Sequence, residues 1–139
     1  MIIKIENLDL QPADRVVIPK SDFRIVQHHG IYLGINGNGT HLFAENDFEK
    51  GVRIVSASDF FNGICKISRI EKFLGNNLQR HSSLQRAIAL QGKTYNLIEF
   101  NCEHYSNLVQ HNVSESPQLQ KGFFIGLLAI IFGGVYFAD

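Results

Sequence analysis

The chain has 139 residues, enough for one domain with its own hydrophobic core. Its 13 Lys and Arg balance 13 Asp and Glu, so no basic field exists to draw nucleic acid, which is excluded as a partner. Two cysteines, Cys65 and Cys102, do not make a disulfide framework, and the start MIIKIENLDL carries no signal-peptide pattern, so a reducing, cytoplasmic setting is expected.

ADRVVIP, residues 13–19, reads as a short strand stopped by proline. RIVQHHGIYLGI, residues 24–35, is the strongest strand signal, rich in branched and aromatic residues and ending in the turn NGNG. THLFAEN continues as its hairpin partner, and GVRIVSA, residues 51–57, is another strand. SDFFNG suggests a short helical turn capped by Ser58. ICKISRI, residues 64–70, alternates like a strand and would bury Cys65 as a small apolar residue. HSSLQRAIALQGK predicts a helix capped near Ser82 or Ser83, and NCEHYSNLVQHN a second helix. The class is α+β, with antiparallel strands first and helices after. Residues 1–112 form the expected domain and 113–121, VSESPQLQK, a polar linker. Residues 122–138 carry no charge over 17 positions, at the lower end of the roughly 17–25 needed to span a bilayer. They are apolar all round, which predicts a C-terminal hydrophobic helix acting as a transmembrane tail anchor.

The chemistry centres on EFNCEHYSNL, residues 99–108. Asn101 is a good N-cap, which puts Cys102 in the first helical turn. Backbone N–H groups and the helix dipole there favour a thiolate and can hold an oxyanion. His104 is two positions on, about 200° around the helix, so it points away from Cys102 and reads as scaffold. Glu103 falls on a face with Asn107 and Gln110 that reads as solvent-facing. A base must come from upstream. Strand alternation puts His29, Ile31, Leu33 and Ile35 on one face, and His28, Gly30, Tyr32 and Gly34 on the other. The first face looks like core. The second has a histidine beside glycines that leave room for a helix or substrate, which selects His28 as base and leaves His29 as a packed neighbour. His41 lies across the turn and is expected beside His28 as orienting third member, with Asn101, His29 and Tyr32 in support. Two histidines and a cysteine could also hold zinc, but the spacing fits no compact motif; neither metal nor cofactor is expected.

NCEHY, residues 101–105, resembles the signature of the lecithin:retinol acyltransferase family, which includes the H-rev107-like phospholipase/acyltransferases. HHGIYLG, residues 28–34, is similar to that family's first histidine strand, and THLF to the strand supplying the second histidine. QPADRVVI and LQRAIALQGKTYNL also resemble family segments, so the likeness runs over about residues 11–111 in the family's order. His29 stands where the family has an aromatic residue, and Tyr105 where it has phenylalanine. The resemblance implies a permuted papain-like fold of the NlpC/P60 type. It implies cysteine-dependent acyl transfer from a phospholipid ester, with Cys102 as nucleophile, His28 as base and His41 as third member.

The expected function is that of a membrane-anchored thiol acyltransferase or phospholipase A. Its partners would be a phospholipid, the membrane and an acyl acceptor: an amine, an alcohol or water. Two rivals stay open at this point. One is an NlpC/P60-like cysteine peptidase or amidase, since the same residues cleave amides. The other is a catalytically silent, membrane-tethered interaction domain.

Overall fold

A computed structural model describes residues 3–20 and 26–112. The expected linker and tail anchor lie outside the described residues, among which no helix is long and apolar enough to cross a membrane.

The strands are β1 (Arg15–Pro19), β2 (Gln27–Ile35), β3 (His41–Asp47), β4 (Gly51–Ser56) and β5 (Arg69–Glu71). They form one antiparallel sheet in the order β4-β3-β2-β1-β5, with β2 at the centre. The helices are α1 (Ala57–Phe61), α2 (Asn77–Ala89) and α3 (Cys102–His111). The fold is therefore α+β, as the pattern of segments predicts.

Side-chain alternation along the strands builds two cores, one on each face of the sheet. Val16, Ile18, Tyr32, Phe43 and Val55 pack on Phe60 and Phe61 of α1. Ile31, Ala44 and Val52 pack on Ala87 of α2 and on Tyr105 and Val109 of α3. Gly30 is required by the first core. A Cβ there would overlap the Phe60 ring, which is itself stacked on Phe43 at 4.5 Å and cannot retreat. The room expected above this glycine is thus filled by α1. Gly30→Ala should cost about 1–3 kcal/mol by overpacking, read as a lower urea midpoint with an unchanged slope.

Several boundaries differ from the sequence reading. α2 starts at Asn77, because Asn76 caps it through the Gln79 N–H while the Gln79 side chain returns to the Asn76 N–H. The expected cap Ser82 lies inside the helix and donates to the Leu78 carbonyl, while Ser83 donates to the Val109 carbonyl of α3. α1 is capped by Ser56, not Ser58. Of the expected strand over 64–70 only Arg69 and Ile70 pair with β1, together with Glu71 just beyond it, so Cys65 sits exposed in the connection before them. α3 has no solvent face at Glu103, Asn107 and Gln110. Glu103 is buried, Asn107 accepts a hydrogen bond from Arg15 at 2.5 Å, and Gln110 donates to the Glu71 carbonyl at 2.9 Å. The β1–β5 edge covers that side.

Candidate active site

The start of α3 is fixed from three directions. Asn46 of β3 donates its side-chain amide to the Phe100 carbonyl at 2.8 Å, which ties the approach to the helix onto the sheet. Tyr105, one turn in, is fully buried and donates to the Ala87 carbonyl of α2 at 2.8 Å. Asn101 caps the helix: its side-chain oxygen accepts from the N–H groups of Glu103 and His104, both at 3.0 Å. His104 completes a capping box by accepting the Asn101 N–H on Nδ1, also at 3.0 Å. Its role is to close the helix end.

Cys102 is the first residue of this helix and is 6% exposed. Its thiol points across to the start of β2, where Sγ is 3.6 Å from the Gln27 carbonyl oxygen. The next residue on that strand is His28, whose ring interacts with the thiol. Nε2 of His28 is 2.6 Å from a carboxylate oxygen of Glu45 on β3. Nδ1 is buried and has no hydrogen-bond partner among the described residues. Burial works against a charge on this imidazole, but the Cys102 thiol and the Glu45 carboxylate outweigh it and raise its pKa to about 9. The other oxygen of Glu45 accepts from Nε and a terminal nitrogen of Arg53, both at 2.8 Å. Phe60 closes the ring's flank at 5.5 Å.

His29 faces the opposite side of the sheet. It is buried against Arg15, which also reaches Glu71 and Asn107. Burial, then the positive charges of Arg15 and Arg69, push its pKa down to about 3. One peptide bond therefore separates a histidine that keeps its proton from one that never takes it near neutrality.

The structure brings Cys102 and His28 together, with Asn101 behind the cysteine. It does not bring His41 to them. β2 and β3 pair with Ile35 opposite His41 and Gly30 opposite Glu45. His41 is thus seven residues along the sheet from His28, or ~23 Å at the usual rise per strand residue. It accepts or donates at Nδ1 with the Tyr32 hydroxyl at 2.8 Å, and its Nε2 lies 3.5 Å from Glu6. Tyr32 is accordingly joined to His41, not to the cysteine.

Three residues escape the sequence reading. Equal counting outward from Asn36–Thr40 would set Glu45 opposite Ile31, on the other face from His28; the bulge between Tyr32 and Gly34 moves it opposite Gly30 and so onto the His28 face, with Arg53 opposite it on β4. Tyr95 lies close enough for the Cys102 charge to act on it. Burial, then that charge, raise its phenol pKa to about 12. Its ring packs edge-on against Phe48 at 5.4 Å, and no motif announces it.

The family model for lecithin retinol acyltransferase matches residues 8–115, a span that contains both β2 and the start of α3. The chain belongs to the lecithin retinol acyltransferase family. Membership makes acyltransferase-type activity on lipids its general character. A search of curated proteins gave no match. In this family member Cys102 at the start of α3 and His28 near the start of β2 face each other, and both side chains are mostly buried.

Proposed function

We propose that this lecithin retinol acyltransferase family member is a cysteine-dependent acyltransferase or phospholipase A acting on glycerophospholipid esters. The observation that carries this reading is the thiol of Cys102 at a capped helix start, facing an imidazole that holds a second proton site open.

In this mechanism the S–H bond of Cys102 breaks and an Nδ1–H bond forms on His28, giving a thiolate beside an imidazolium. The thiolate attacks the carbonyl carbon of the acyl ester. Asn101 occupies the N–H groups of Glu103 and His104, so the cap leaves over the N–H of Cys102 itself to donate to the oxyanion. The tetrahedral intermediate collapses, and the lyso-lipid oxygen leaves with the proton from His28. The resulting thioester passes its acyl group to an amine, an alcohol or water, with His28 now taking the acceptor's proton. The apolar residues 122–138 would tether this domain at the bilayer surface, where the ester already resides and its effective concentration is high.

The test is direct capture. The chain is incubated with phosphatidylcholine vesicles, digested and weighed by mass spectrometry. An acyl group is expected on the Cys102 peptide, lost in Cys102→Ser and kept in Cys65→Ser. No adduct in the unmutated chain, or one that survives Cys102→Ser, overturns the reading.

A further inference from the structure

The triad logic needs a group that fixes the imidazole, and the sequence pattern nominates a second histidine for it. The sheet register puts a carboxylate there instead. We propose that Glu45, gripped by Arg53, is the positioning residue that holds His28 with Nδ1 turned to Cys102. This rests on the thiol chemistry proposed above.

Four observations support it. The His28–Glu45 contact is short, 2.6 Å, as suits an imidazole N–H on a carboxylate, and both partners are buried. Glu45 uses separate oxygens for its two partners, one for His28 and the other for Nε and a terminal nitrogen of Arg53. Arg53 on one oxygen and His28 on the other hold the carboxylate at both ends, and with it the direction of the hydrogen bond to the ring. With Nε2–H engaged by Glu45, the only ring nitrogen left for the thiol proton is Nδ1, which is the unpartnered one.

The charges around His28 are accounted for on every side. β3 presents Glu45 and β4 presents Arg53, which meets His28 only through that carboxylate and also lies 3.5 Å from Asp47. α3 presents Cys102, and α1 presents only the Phe60 ring. Tyr95 is close enough to Cys102 to feel its charge. His29, Arg15 and Arg69 lie toward the other face of the sheet and act against a charge on their side. Glu45 is therefore the one carboxylate among the described residues in contact with the ring. The proton balance is simple: Nε2–H stays with Glu45 throughout, while the mobile proton moves from Sγ to Nδ1 and then to the leaving oxygen.

The consequence can be read without any substrate. In the full chain carrying Cys65→Ser, the rate of Cys102 alkylation by iodoacetamide is followed against pH by mass spectrometry. Glu45→Gln should move the inflection up by at least about one pH unit, which is about tenfold in rate well below the inflection. Glu45→Asp, which keeps the charge, should recover most of that loss. Should Glu45→Gln fail to fold, imidazole nitrogen NMR of the unmutated chain decides: a hydrogen-bonded proton on Nε2 of His28 is expected, and a ring protonated on Nδ1 alone would overturn the proposal. An alkylation profile of folded Glu45→Gln that superimposes on the parent would also overturn it, as would an equal or larger shift from His41→Ala. The two readings fail separately. A Glu45-dependent profile without an acyl adduct removes the lipid chemistry and keeps the positioning role. An acyl adduct with a Glu45-independent profile does the reverse.

Discussion

His28→Ala should cut the rate of thioester formation at pH 7 by about 10²–10⁴, the range for a lost general acid–base. His29→Gln should cost far less, although the two histidines are neighbours in sequence. The difference follows from their environments. His28 is raised to about 9 and so carries a proton at neutral pH that the leaving lyso-lipid oxygen can take. His29 is pushed down to about 3, faces Arg15 across the sheet, and has no proton to give. The same assignment sets the alkaline limb of the pH profile. Turnover should fall as pH rises through about 9, where His28 loses its proton and the leaving group goes without an acid. Single-turnover acylation of each variant across pH 6 to about 10 checks both points. A larger loss in His29→Gln than in His28→Ala would overturn the assignment.

Alternation made much of this visible. A period of two, read from His28 to Ile35, separates the two histidines correctly onto opposite faces, because pleating allows no other arrangement within one continuous strand. The cap at Asn101 is equally local: a short polar residue before a helical run has few other uses. Partnership across strands is a different kind of information. It depends on register, and register depends on where the turn closes. Asn36 accepts from the N–H groups of Asn38 and Thr40 and fixes the turn at 36–40, so His41 starts its strand at the hairpin tip while His28 lies far down the other arm. The bulge between Tyr32 and Gly34 shifts the pairing by one more residue. Glu45 was hidden for this reason, since a single Glu in a strand carries no signal until its opposite number is known. The burial of Glu103 was hidden for a similar one. Its helix face packs toward Arg15 and Glu71, and the three-residue strand β5 that carries Glu71 has too little pattern to place.

Acidification from pH 7 to about pH 5 should destabilise the folded chain by about 2 kcal/mol through His29 alone. His29 is 1% exposed and its folded pKa of about 3 lies below the unfolded 6.5, so below 6.5 the unfolded chain binds a proton that the folded chain refuses. Its contribution to stability is whole above 6.5 and is lost as pH falls toward about 3, approaching about 5 kcal/mol in full. His28 acts in the other direction. Its folded pKa of about 9 exceeds 6.5, so its contribution is whole below 6.5 and is lost as pH rises through about 9. The two opposed slopes meet near pH 6.5, where stability from this pair is greatest. Urea unfolding at pH 7 and pH 5 reads the net slope above most carboxylate titrations, with the smaller opposite change from His28 offsetting part of the His29 loss. His29→Gln removes the titrating group and offers Arg15 an oxygen in place of the ring nitrogen. It should lose much less stability than the parent between the two pH values. Equal losses in both chains would place the acid sensitivity on a group other than His29.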